Sequence, residues 1–356
     1  MRRLVVLVLA LIAAAPAQAQ TVDEVEQAWR GWMIKNRLAT GGLAVLYKGT
    51  LVREAAMGRV AAGTPVPLAS LSKAVTGVCI AALVERGKLS FDTPLSRALE
   101  QTFNRIGPPA DRRLDAVTIG QLLTHRAGFD RGADPATSTL TAYLHNATAR
   151  RTAFDARLRA VLRQRLVSPP GERYGYSNSA YQILGSVVEE VSGQDYENYC
   201  RQVALFPLGA LGAQLDPTWR VMSSYGGWRM SLADYARFYQ AFVPGHPAIG
   251  ERSRRWMMSP QGKSLGVGGA HYGLGVDVRP LPTGDANFWH WGRWTASIAR
   301  ALDGPLHASY SAFAVRWGGI DVNMVVYMAS DIGDGAVRSD LERVLADAVK
   351  AVKRWQ

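Results

Sequence analysis

Apolar positions along the chain recur with two different periods. In residues 23–38 they fall at Val25, Trp29, Trp32 and Met33, on one face of a helix. Residues 42–47 and 51–60 are strand-like runs joined by Lys48-Gly49-Thr50, a hairpin signal. Residues 70–86 are apolar on nearly every side, at Leu71, Val75, Val78, Ile80, Leu83 and Val84, which predicts a buried helix stopped by Gly87. Residues 89–262 read as helices and loops. There Thr118 and Gln121 fit a capping box ahead of Leu122 and Leu123. Tyr181, Leu184, Val187, Val188 and Val191 mark a helix ended by Gly193, and Ser231 caps another carrying Leu232, Tyr235, Phe238 and Tyr239. Strand-like runs return at 272–278, 287–294, 309–317 and 322–329, and an amphipathic helix over 337–352 closes the pattern. Strands at both ends with helices between them predict an α/β (α+β) fold. One sheet is built from residues 20–88 and 263–356, beside an all-α lobe formed by residues 89–262. The cleft between such units is where a small ligand is expected.

Composition refines this little: 48% apolar and 20% charged residues describe an ordinary globular chain. The start is different. Arg2 and Arg3, the apolar residues 4–15, and Ala17-Gln18-Ala19 have the three-part form of a secretory leader, so residues 1–19 are expected to be removed. That segment is too short to span a bilayer. The mature chain is expected to carry no stable membrane span and to work in the periplasm or outside the cell. Losing Arg2 and Arg3 takes the net charge from +12 to +10. The basic residues are spread along the chain, and arginines outnumber lysines 34 to 7, a compositional bias more than a nucleic-acid patch. The densest cluster is Arg150, Arg151, Arg157, Arg159, Arg163 and Arg165. It interleaves with Phe154, Leu158, Val161 and Leu162 at helical spacing and predicts a solvated helix face. Cys79 and Cys200 are too few for a disulfide framework; Cys79 on the buried helix is expected to be an inert packed thiol, not a partner of Cys200.

Three groups of residues carry chemistry. Ser70-Leu71-Ser72-Lys73 opens the buried helix, and residues at i and i+3 share a helix face, so the Ser70 hydroxyl and Lys73 amine can meet. A serine needs a base to become a nucleophile, and burial lowers the pKa of a lysine into that role. Tyr176-Ser177-Asn178 follows Pro169, Pro170 and Gly171; a tyrosine and an asparagine two apart in extended chain project to one side. Tyr196-Glu197-Asn198 repeats the pattern but begins a helix, where packing explains it. His290-Trp291-Gly292-Arg293 lies on a strand, where a glycine admits close approach of a backbone or ligand and a histidine can hydrogen-bond or carry charge. His271-Tyr272-Gly273 is a second, structural candidate at a strand start.

In this order and spacing, the three groups resemble the motifs of the serine β-lactamase and penicillin-binding-protein superfamily. The resemblance points to the branch of class C β-lactamases, DD-carboxypeptidases, D-aminopeptidases and related esterases. Leu122-Leu123-Thr124-His125-Arg126-Ala127-Gly128-Phe129 and Tyr272-Gly273-Leu274-Gly275 extend the likeness over residues 41–329. It implies an antiparallel sheet flanked by helices. Ser70 would be the acyl-enzyme nucleophile, Lys73 and Tyr176 the proton carriers, and Asn178 a ligand of the substrate amide. His290 would polarise the site, Gly292 belongs to the same motif, and the backbone N–H groups of Ser70 and Arg293 would form the oxyanion hole. His125 would pack. No metal or organic cofactor is implied. Trp291 departs from the Thr or Ser that holds a substrate carboxylate in penicillin-recognising members, and residues 295–306 exceed the usual hairpin. The function implied is hydrolysis of small-molecule or peptide amides, esters or β-lactams, including substrates derived from the cell wall. The alternative is a catalytically weak relative that binds cell-wall peptide or a protein partner.

Overall fold

The computed structural model of the chain describes residues 21–355 apart from 133, 135, 137–149, 218, 261–264, 266–267 and 296–308. The expected leader and nearly all of the 295–306 segment lie outside the described residues. The chain enters through α1 (Val22–Lys35), makes a hairpin of β1 (Gly41–Tyr47) and β2 (Thr50–Met57), and passes a short β3 (Val66–Pro67). A single 3-10 turn, Ala69–Leu71, then leads directly into α2 (Ser72–Glu85). The middle of the chain carries α3 (Ile119–Leu123), α4 (Arg150–Leu162), α5 (Asn178–Ser192), α6 (Tyr196–Cys200), β4 (Gln214–Leu215), β5 (Trp228–Met230) and α7 (Leu232–Phe238). It returns as β6 (His271–Gly273), β7 (Val276–Pro280), β8 (Ala286–Trp294), β9 (Tyr310–Trp317), β10 (Val322–Met328) and a final α8 (Gly335–Ala351).

Seven strands form one sheet in the order β2-β1-β10-β9-β8-β7-β6, antiparallel at every step. The first and last parts of the chain therefore meet in the sheet interior, β1 against β10, as expected from strands at both ends of the sequence. Lys48 and Gly49 close the first hairpin at φ +47° and +79°, the left-handed pair a two-residue turn needs. The expected strand over 272–278 is two strands, because Leu274 (φ +51°) and Gly275 (φ +84°) reverse the chain between β6 and β7.

The sheet separates two cores. On one face α1 and α8 cover Val45, Phe313, Met324 and Val326 with Trp29, Met33, Leu341 and Leu345. The other face meets α7 and the larger core around α2, whose side chains are buried on all sides, as an all-round apolar helix requires. Thr118 and Gln121 form the capping box, Gly193 ends α5 at φ +69°, and the Ser231 side chain caps α7.

Three expectations need correction. The lobe predicted to be all-α also holds β4 and β5, which pair with β3 just ahead of Ser70. Arg157 is fully buried: α4 turns it inward, where it donates to Ala136 O and the Tyr225 hydroxyl and lies against the Tyr225 ring. Arg163 and Arg165 are exposed, as expected, and Arg159 is half-buried. Cys79 and Cys200 form a disulfide with Cα atoms 5.5 Å apart, because α6 packs onto α2 and brings together positions 121 residues apart.

Candidate active site

Ser70 lies in the 3-10 turn that starts the α2 segment. Its neighbour Ala69 sits at φ +46°, a region non-glycine residues seldom occupy; two other such residues, His125 (φ +58°) and Leu274 (φ +51°), border the same site. Two backbones press against this turn and helix. A Cβ on Gly292 would lie 2.2 Å from Leu68 O, so that glycine admits a close approach of backbone, β8 against the turn that carries Ser70. A Cβ on Gly275 would lie 2.2 Å from Lys73 O, which fixes the β6–β7 turn against α2 in the same way.

Lys73 follows one helical turn after Ser70 and has no exposed surface. Its Nζ stands 3.1 Å from Ser70 Oγ, 2.7 Å from Asn178 Oδ1 and 3.0 Å from Tyr225 O. Burial pulls its pKa from 10.5 to about 7, against the attraction of Asp134. A neutral amine has two N–H bonds and one lone pair. Asn178 Oδ1 and Tyr225 O can only accept, so they take the two protons, and the lone pair is left facing the Ser70 hydroxyl.

Tyr176 lies over Lys73, Nζ to ring centroid 4.9 Å, and lines the same cleft as Ser70. Burial raises its pKa, so it keeps its proton at neutral pH. The loop that presents it is held by His125, whose Nδ1 accepts the Ser177 N–H at 3.1 Å while its ring packs 4.4 Å from that of Tyr176. His125 is itself kept neutral, first by burial and then by Lys73. The other support is Asp134, a residue absent from the sequence reading. Its carboxylate accepts the N–H groups of Asn178 and Ser179 and the Ser179 hydroxyl at the start of α5. Tyr196, by contrast, bonds Thr76 Oγ1 at 2.7 Å and Trp228 Nε1 at 3.0 Å inside the core. His271 bonds Met257 O at 2.8 Å.

On β8, His290 Nε2 meets the Tyr272 hydroxyl at 2.9 Å. Burial and nearby Lys73 push its pKa down to about 3, so the positive charge allowed to it by sequence is absent at neutral pH. Leu281 N donates to Asp285 O across the β7–β8 turn. Alternation along the antiparallel ladder then aims the N–H groups of Asn287, Trp289, Trp291 and Arg293 at the β7 edge. Pairing with β7 ends at Trp289, so the Arg293 N–H faces an edge that no described strand fills. The Arg293 side chain is tied to Asp331 at 2.7 Å. Trp291 donates from Nε1 to Glu342 Oε1 on α8 at 2.6 Å and packs at a tilt against Phe313.

Ser70, Tyr176, Tyr272 and His290 open onto a cleft of about 460 Å³. Its outer part is lined by residues not singled out in the sequence: Arg131, Asp277, Arg338 and Glu342. They come from a loop, from β7 and from one turn of α8, and share no sequence motif. Among the described residues, no group of three or more His, Cys, Asp or Glu is placed to hold a metal ion.

A family model described as beta-lactamase matches residues 19–347. Protein flp of Staphylococcus aureus (strain COL) is 29% identical over 146 residues, 41% of this chain and 27% of that protein. The match thus spans about a quarter of that relative's length. The octameric penicillin-binding protein homologue from Pyrococcus abyssi superposes with TM-score 0.67 at 23% identity, covering 87% of this chain and 73% of that one. The D-amino acid amidase from Ochrobactrum anthropi SV3 complexed with L-phenylalanine amide gives 0.69 at 16%, covering 93% and 100%. At these identities the likeness to the solved structures is one of fold.

Proposed function

The chain belongs to the beta-lactamase family of serine hydrolases, and from that premise we propose that it cleaves amides or esters through an acyl-enzyme on Ser70, after export from the cytoplasm. One observation carries this reading: a fully buried Lys73 amine, 3.1 Å from Ser70 Oγ, with a pKa near neutrality. As Ser70 Oγ bonds the substrate carbonyl carbon, its proton passes to Lys73 Nζ. The oxyanion develops between the N–H groups of Ser70 and Arg293. Collapse breaks the bond to the leaving nitrogen or oxygen, which takes a proton from Tyr176; Lys73 then gives its proton to the Tyr176 phenolate, so both groups regain their starting protonation. A water then attacks the ester carbonyl by the reverse transfers and frees Ser70. Asn178 holds Lys73 and offers its amide N–H₂ to the substrate. His290, neutral, orients the Tyr272 hydroxyl at the wall.

Amides and esters are favoured over β-lactams because position 291 offers no hydroxyl to a substrate carboxylate, and its indole N–H is committed to Glu342. The amidase fold relative makes D-amino-acid amides the first substrates to try. Export is supported by the Cys79–Cys200 disulfide, which persists in oxidising compartments. No helix among the described residues is long and apolar enough to cross a membrane. The test is intact mass after exposure to a serine-directed phosphonate. Wild type should gain one adduct and Ser70→Ala none; equal labelling of the two, or no labelling of either, rejects the mechanism. A parallel sample with penicillin reads β-lactam acceptance directly.

A further inference from the structure

The outer cleft places a carboxyl where the catalytic steps above do not use it. Asp277, on β7, is half-buried and lines the same cleft as Ser70 and Tyr176, and its carboxyl makes no hydrogen bond or ion pair among the described residues. Such a group is costly unless something pairs with it. Burial raises its pKa from 3.8 to about 7, and the one charged group adding to that rise is another acid, Glu342. None of the cleft's three arginines pairs with it: Arg293 is bound by Asp331, Arg338 lies over the Trp291 ring, and Arg131 makes no ion pair with Asp277 among the described residues. Glu342 is held in place by the Trp291 indole N–H at 2.6 Å, so the tryptophan that departs from the family pattern fixes the second carboxylate.

We propose that Asp277 and Glu342 form an acidic subsite that binds the ammonium group of an amine-bearing substrate, with its scissile carbonyl at Ser70. This deepens the serine hydrolase reading and rests on it: the substrates would be amino-acid amides or short peptides with a free amino terminus. A cleft of about 460 Å³ suits a ligand of that size. The ammonium supplies the missing partner for an unpaired, half-buried carboxylate, and its charge offsets the repulsion between the two acids.

The experiment is calorimetric binding to the Ser70→Ala protein, which cannot turn over its ligand, using D-alanine amide and N-acetyl-D-alanine amide at neutral pH. The free amine should bind at least about tenfold more tightly, the size expected for one charge-assisted hydrogen bond. Adding Asp277→Asn should shrink that ratio to about twofold, and Glu342→Gln should reduce it independently should the first variant not fold. Equal binding of the two amides, binding of neither, or a preference that survives both substitutions overturns the proposal. Phosphonate labelling of wild-type Ser70, run beside it, reports on the hydrolase mechanism whichever way the amine preference falls.

Discussion

A lysine that donates to two fixed acceptors and faces a hydroxyl with its third direction is set for catalysis only in its neutral form. Its lowered pKa therefore has a sign that can be read in kinetics: the acylation rate should rise with pH and level off above an apparent pKa of about 7. A neutral ester such as p-nitrophenyl acetate isolates this limb from the titration of Asp277. A profile flat between pH 5 and pH 9 would remove Lys73 from the base role. Lys73→Ala should cost roughly 10²–10⁴-fold in acylation, the usual span for losing a general base. Asp134 offers a subtler test, because it both holds the start of α5 and raises the lysine's proton affinity. Asp134→Asn should slow acylation and also move the acid limb to lower pH. A slower enzyme with an unmoved limb would mean that Asp134 acts on geometry alone.

The elements around Ser70 are set by backbone contact as much as by side chains. Gly292 is the sharpest case: a methyl group there would meet Leu68 O, so Gly292→Ala must push β8 away from the nucleophile turn and take the Arg293 N–H with it. The expected result is a loss of about 1–3 kcal/mol in stability, as for other overpacked sites, together with slower phosphonate labelling of Ser70. Labelling at the wild-type rate would show that the oxyanion edge lies elsewhere. This is also where sequence reading reaches its limit. The Ser70–Lys73 pair was legible because helix periodicity converts a spacing of three into proximity. Tyr176 and Asn178 were legible from the same-side rule for extended chain, and the strands and helices from their apolar periods. Asp134, Asp277 and Glu342 were not, since each is a lone acid whose meaning comes from a partner on another element. Arg157 was misread because helical spacing marks a face without saying that Tyr225 and Ala136 would receive it. His290 was allowed a charge because its residue type permits one; the burial that removes it comes from folding.

At the scale of the molecule, α2 carries both Ser70's partner Lys73 and Cys79, and the disulfide to Cys200 ties it to α6 across most of the helical segment. The pairing could not be read from sequence: a separation of 121 residues carries no local signal, and burial of Cys79 argues equally for a packed thiol. In the chain-entropy view, closing a loop that long removes about 5 kcal/mol of freedom from the unfolded chain. For a protein of this size that corresponds to a shift on the order of 10 °C in melting temperature. Thermal melting of the oxidised protein against a Cys79→Ser, Cys200→Ser double variant measures it. A shift below about 2 °C would mean that packing of α6 on α2 already does the tether's work. If the larger shift is found, it favours the proposed export. The same chain made in a reducing compartment would lose this contribution and present a looser α2, so phosphonate labelling of the double variant should decay at lower temperature than that of wild type. Export would then be a condition for a stable catalytic helix, and the leader expected over residues 1–19 would have a structural reason to exist.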